Sequence, residues 1–228
     1  MGATTARDEI LARVRKNLGV AAGDEPRRQA ALATVAARTQ GPRPVVAGDL
    51  VARFRAKSEA MSSTVETLAG LAEVPVAVAR YLAAQGLAPA AVCWPSLADL
   101  DWAGAGVNIA ARAANGDDLV GVTGCFCAIA ETGTLMLLSG PETAATTSLL
   151  PETHIAVVPV SRIVAGMEDG FDRLRSALGE SGERGKGIAL PRAVNFVSGP
   201  SRTGDIEQTI VLGAHGPYRV HLLLVEAA

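Results

Sequence analysis

Apolar and polar positions along this chain follow two alternating periods, and the changes of period mark its elements. Between residues 5 and 18, Ile10, Leu11, Val14 and Leu18 recur at helical spacing, and Gly19 supplies a stop. Residues 20–45 hold Pro26, Arg27, Arg28, Gly41, Pro42 and Pro44 and read as a linker. Residues 1–47 are therefore expected to form a helix-and-linker arm, less ordered than a main domain over 48–228. In that domain Asp49 can cap a helix running to about Ala60. A strand is expected near 63–68. Val76, Val78, Ala79, Leu82 and Ala83 predict a helix over 73–86, stopped by Gly86. AAVCW at 90–94 is a buried strand closed by Pro95, and glycines at 104, 106 and 116 break any pattern over 97–116.

Beyond Leu119 the pattern sharpens. Strands are expected at 119–122, 125–130 and 134–139, a helix near 142–149, and a strand at 154–160. Residues 161–178 place Ile163, Val164, Met167, Phe171, Leu174 and Leu178 on one side of a helix. GESGERGKG at 179–187 is a flexible loop. A strand near 193–197 follows, and the chain ends on the apolar strand YRVHLLLVE. Repeated strand–helix alternation predicts an α/β fold: a mostly parallel sheet flanked by helices, with room for antiparallel hairpins near 119–139.

Composition narrows the partners. The chain is 49% apolar but only 4% aromatic, so its core must be aliphatic. Its 21 basic and 23 acidic residues give a net charge of −2, which offers no footprint for nucleic acid or an anionic membrane. The longest apolar runs, 155–160 and 220–225, are strand-length, far from the roughly 20 residues a membrane span needs. The N-terminal stretch TTARDEILARVRKNLG is charged and lacks the apolar core of a secretory signal, so a cytoplasmic location is expected. The cysteines, Cys93, Cys125 and Cys127, then read as reduced, buried core residues. In one strand Cys125 and Cys127 would point to the same face. Three cysteines cannot supply a four-thiolate cluster, and the paired spacing of structural zinc is missing. This chain is expected to bind no metal.

Three glycine-punctuated segments carry candidate chemistry. In AIAETGTLML (128–137) Glu131 stands between an apolar run and the turn Thr132, Gly133, Thr134. It could serve as a general base or nucleophile, or it could pair with a cation and lock the turn. SGPSRTGDIEQT (198–209) offers Ser198, Gly199, Ser201, Arg202 and Thr203, with Thr203 able to cap a following helix that carries Asp205 and Glu207 in its first turn. Hydroxyls and a guanidinium at a surface helix start suit a carboxylate or phosphate; the alternative is a capped helix with a surface Arg202–Asp205 pair. GPSRT falls one glycine short of a nucleophile elbow, which counts against Ser201 as a nucleophile. GAHGPYRV (213–220) holds His215 in a tight turn, either as a catalytic group or as a turn residue bonded to backbone. His154, at a strand start, and His221, inside an apolar strand, are weaker candidates. Nucleotide, zinc-protease and calcium motifs do not occur.

AIAETGTLML, LPETHIAVVP (150–159), SGPSRTGDIE (198–207) and GAHGP, in this order, resemble the lactate utilization protein C family, the LUD-domain family. The family's third motif usually has Ala where Gly204 stands here. The resemblance covers roughly 48–226. It implies a fold like that of ribose-5-phosphate isomerase and the CoA-transferases. It also implies a non-redox part in oxidising L-lactate to pyruvate beside two iron–sulfur companion proteins, which would hold the clusters. On that fold-level analogy Glu131 looks like the CoA-transferase glutamate. Two other readings stay open: a stand-alone acyl/CoA-transferase-like or sugar-phosphate isomerase-like enzyme acting through Glu131, and a module that senses lactate or pyruvate.

Overall fold

The computed structural model describes residues 5–37, 39, 41–179, 190–204 and 211–227. The chain divides into two compact units, Met1–Val45 and Val46–Ala228. The first holds α1 (Ala6–Leu18) and α2 (Glu25–Ala37). Local rules alone build α1. Thr5 and Asp8 form a reciprocal cap at its start, and Gly19 closes it in the left-handed region. Helix α2 corrects the linker expected over 20–45. Asp24 accepts the Arg27 N–H at 3.1 Å, Pro26 falls in the first turn where no donor is needed, and the alanine-rich run behind it propagates. Neither helix buries a residue.

The second unit runs α3 (Leu50–Ala60), β1 (Thr64–Gly70), α4 (Val74–Ala84), β2 (Ala90–Cys93), β3 (Asn108–Ala111), β4 (Val120–Thr123), β5 (Cys127–Ile129), β6 (Thr134–Leu138), α5 (Thr146–Leu149), β7 (Thr153–Pro159), β8 (Ile163–Val164), α6 (Met167–Leu178), β9 (Val194–Val197), β10 (Arg202–Thr203), β11 (Val211–Leu212) and β12 (Arg219–Ala227). It is the expected α/β fold. Six strands form a wholly parallel sheet in the order β1-β12-β7-β4-β2-β3. A row of paired residues crosses it: Thr64, His221, Ile155, Val122, Cys93 and Ala111. Measured from that row, β2 and β3 stop at once, whereas β7 and β12 continue to Pro159 and Ala227.

Four further strands make a separate sheet, β8-β5-β6-β9, whose β5–β6 hairpin falls in the segment where antiparallel pairing was possible. A separate second sheet was not legible, because three of its strands are two to four residues long. One of them, β8, takes the first turn of the helix expected over 161–178, so α6 starts only at Met167. Helix α5 is likewise shorter than expected.

Strand alternation sorts the apolar residues into layers. Ile155, Val157, Leu223 and Val225 meet Val74, Val78 and Leu82 of α4 on one face of the large sheet. Ala156, Val158, Leu222 and Leu224 meet Phe54 of α3 and Leu135 and Leu137 of the small sheet on the other. Cys127 and Met136, on the far side of the small sheet, meet Leu174 of α6. Cys125 precedes β5 and turns into the layer beneath it, so it does not share a face with Cys127. All three thiols are buried, and burial pushes Cys93 up to about 11 and Cys125 to about 12. Among the described residues no helix is long and apolar enough to cross a membrane.

Phe54 is wholly buried where α3 crosses the sheet. Phe54→Ala should cost about 3–5 kcal/mol, read from urea unfolding. Two histidines make stability depend on acid pH. His154 is fully buried with Nε2 2.8 Å from Thr123 Oγ1, and His221 stacks on Tyr81 at 4.1 Å. Burial pushes both down to about 4, below the ordinary value near 6.5. Each ring therefore takes its proton more readily in the unfolded chain. Their contribution is intact above about pH 6.5 and is lost as pH falls from there towards about 4, at up to roughly 1.4 kcal/mol per unit per ring. His221→Gln should make the loss between pH 6.5 and 4 shallower in urea titrations run at stepped pH.

Candidate functional site

The turn after β5 is fixed by backbone before any side chain acts. Ala130 and Glu131 donate to the carbonyls of Val164 and Ala165 at 2.9 and 3.0 Å, and Gly133 donates back to Ile129 at 2.9 Å. Gly133 has φ +69, and a Cβ there would stand 2.5 Å from the Ser58 nitrogen. No other residue type fits against the end of α3 at this point. The buried Ser58 hydroxyl donates to the Gly133 carbonyl at 3.4 Å. Glu131 is half-buried at the tip, beside the first residues of α6; the same position of Gly166 approached by its carboxylate is approached by Glu168 and Asp169. Among the described residues no cation or hydrogen-bond donor meets that carboxylate. The charge pair that would have made Glu131 a turn lock is not found there.

The second loop repeats the device. Gly199, between β9 and β10, has φ +78, and a Cβ there would fall 2.3 Å from the Met61 carbonyl oxygen. The end of α3 thus lies against both loops. Ser62, just beyond it, is the one non-glycine among the described residues with positive φ, +68. Arg202 secures it: Nη2 donates to the Met61 carbonyl at 3.2 Å and to the Ser62 hydroxyl. Arg202 is exposed, as expected of a surface fork, yet its guanidinium already holds the C-terminal end of α3, where a cation is favoured.

Hydroxyls join the first loop to the second. Thr132 Oγ1 lies 2.7 Å from Thr134 Oγ1, which lies 2.7 Å from Ser198 Oγ. Ser201 joins the second loop to the third: its N–H donates to Pro217 at 2.8 Å, its carbonyl accepts from Gly213 at 2.9 Å, and its hydroxyl accepts the His215 N–H at 3.3 Å. That hydroxyl is a fastener within the loop pair. Thr203 is a strand residue paired with Val211. Asp205, and the helix start expected with it, lie outside the described residues, as does the loop at 179–187 beyond Gly179.

The structure therefore brings Thr132, Gly133, Thr134, Ser198, Gly199, Ser201, Arg202 and the His215 backbone into one connected cluster. It leaves Glu131 at the rim, and no contact joins Glu131 to His215 among the described residues. The exposed His215 ring stands at the other rim. Ser58, Met61 and Ser62 were missed from sequence, because nothing in SEAMS (58–62) signals that a helix end will serve as the floor of two distant loops. His154 and His221 are buried in the large sheet, outside the cluster.

The LUD domain family model matches residues 53–225, which span the whole cluster. The chain belongs to the LUD domain family. Its relatives include proteins called lactate utilization protein C: from Bacillus subtilis, 38% identical over 46% of this chain and 42% of the relative; from Halalkalibacterium halodurans, 41% identical over 47% and 44%; and from Bacillus licheniformis, 35% identical over 58% and 53%. The matched segment thus spans about half the length of these LUD relatives. The crystal structure of a DUF162 family protein from Deinococcus radiodurans superposes with a TM-score of 0.56 over 80% of this chain and 99% of its own, at 21% identity, so the two share a fold.

Two substitutions test the construction. Gly133→Ala forces a side chain into both a positive φ and the backbone of α3, and should cost roughly 2–4 kcal/mol. Arg202→Ala removes the tie to Met61 and Ser62 and, at an exposed position, should cost about 1 kcal/mol. Urea unfolding of each variant gives both numbers; an unchanged midpoint for Gly133→Ala would show that the α3 contact is not tight.

Proposed function

We propose that this LUD domain serves lactate utilization as a non-redox component, binding a small carboxylate, lactate or pyruvate, at the cluster between the end of α3 and the three loops. The reading is supported by the lactate utilization protein C relatives, 35–41% identical over about half their length. On the geometric side it is carried by one observation: a half-buried carboxylate, Glu131, with no partner among the described residues, next in sequence to a relay of three hydroxyls. Oxidation of L-lactate to pyruvate releases two electrons and two protons. In this reading Glu131 accepts the proton of the lactate hydroxyl, the Cα–H bond gives up its electron pair to the iron–sulfur partners and its proton to water, and the exposed Ser198 hydroxyl, backed by Thr134, orients the substrate carboxylate. Arg202 acts through the floor that it fixes.

The electrons pass to iron–sulfur partner proteins in the cytoplasm. Cysteine placement supports assigning them there: Cys93, Cys125 and Cys127 pack into three different core layers and cannot converge on one cluster. Glu131→Gln should keep the wild-type melting temperature, because no ion pair with a described residue is broken, while the host loses growth on lactate. Calorimetry with L-lactate and pyruvate on wild type and Ser198→Ala should show weaker binding in the variant. Wild-type growth with Glu131→Gln would remove that residue from the reaction.

A further inference from the structure

The loop cluster sits at the amino ends of the large sheet, where β1 and β12 begin. The carboxyl ends carry a different feature. The chain leaves β2 towards β3 in one direction and leaves β4 towards β7 in the other, so the order β7-β4-β2-β3 contains a topological switch between β4 and β2. In open parallel sheets that is the gap where connecting chains part and leave a crevice. Here the crevice is deepened by a step. Thr123, the last residue of β4, pairs with Ala156, and β7 runs on to Pro159. A cavity of about 300 Å³ fills the step, lined by Trp94 and Ser96 after β2, Gly124 and Phe126 after β4, and Thr143 and Arg162.

We infer that this cavity is a second ligand site, taking an organic acid with a planar apolar body whose carboxylate rests on Arg162. Three observations carry it. At about 300 Å³ the cavity is at the small end of the range of ligand pockets, with room for an acid larger than lactate. Trp94 and Phe126 give flat apolar walls, and the Trp94 indole is held in place by its N–H on the Ala144 carbonyl at 3.1 Å. Arg162 is also held: Nη1 donates to the Cys125 carbonyl, which keeps the guanidinium at the wall while its remaining donors face no acceptor among the described residues. A fixed guanidinium loses little freedom on binding and suits the two oxygens of a carboxylate. The Ser96 and Thr143 hydroxyls supply the rest of the polar lining. The site binds without reacting, since Cys125 in its wall is a buried thiol.

Benzoate is the probe, followed by amide and indole NMR on the full chain. Trp94 and Trp102 are the only two tryptophans, and Trp102 donates its indole N–H to the Leu97 carbonyl inside the core, so it serves as a control. Millimolar benzoate should shift the Trp94 indole signal saturably and leave Trp102 in place, and L-lactate should bind there at least tenfold more weakly. Arg162→Ala should weaken benzoate at least tenfold. Ser96→Trp, at an exposed position on the rim, should block it without loss of fold, and covers the case where Arg162→Ala unfolds. Glu131→Gln should bind benzoate as wild type does, which separates this site from the loop cluster. A Trp94 signal unmoved by benzoate, unchanged affinity in folded Arg162→Ala and Ser96→Trp, or shifts confined to residues 131–134 and 198–202 would overturn the inference.

Discussion

The contact on which the loop cluster depends is backbone against backbone: the last turn of α3 against two glycines 66 positions apart, Gly133 and Gly199. Each closes to a distance that leaves no room for a methyl group, and each does so at a positive φ that a side chain resists. The two loops flank paired strands, β6 and β9, whose register Leu135–Val197 brings Thr134 beside Ser198. The course of both loops beyond those strands is set by the contact with α3. Tension is held at Ser62, whose left-handed conformation lets the chain leave α3 and enter β1 within three residues. Arg202 binds at this strained point, from the loop that the strain helps to locate.

The small sheet explains why this cluster gathers at the amino ends. Chains leaving the carboxyl ends of β4 and β7 fold back over the sheet as β5 and β8 and run side by side towards the end of α3. The turn bearing Glu131 is thus delivered to where β1 and β12 start, although its strand began at the opposite end. The same reversal opens the crevice between β4 and β2, because the chain that would have covered it has turned away. One folding decision, to reverse after β4, produces both features.

Sequence made the elements legible where their periods were long. The strands 153–159 and 219–227, the capped helix from Asp49 and the helix ending before Gly86 all lie within a few residues of expectation. Short elements failed for a physical reason. Two residues such as Ile163–Val164 cannot display a period, and their strand state comes from pairing with β5. Likewise α2 was hidden by a proline and two arginines that belong to its first turn. In the candidate site, three of the four ordered motifs marked the loops, and glycines marked where chains approach closely. What they approach was illegible. Met61 and Ser62 look like ordinary residues, and only the tertiary contact makes them the floor.

Glu131 is best understood through its neighbours. Glu168 and Asp169 crowd the same glycine, and three carboxylates so placed repel one another. Asp169 is fixed by the Gly166 N–H at 2.8 Å as the cap of α6. The other two acids lie where the amino end of that helix carries about half a positive charge, which offsets part of the repulsion. In the proposed reading the helix start offsets part of the charge on Glu131 without occupying its oxygens, which leaves the carboxylate free for the substrate. The same arrangement disfavours a second anion next to Glu131. In the proposed reading the substrate carboxylate therefore lies on the hydroxyl side of the turn, with the substrate hydroxyl towards Glu131.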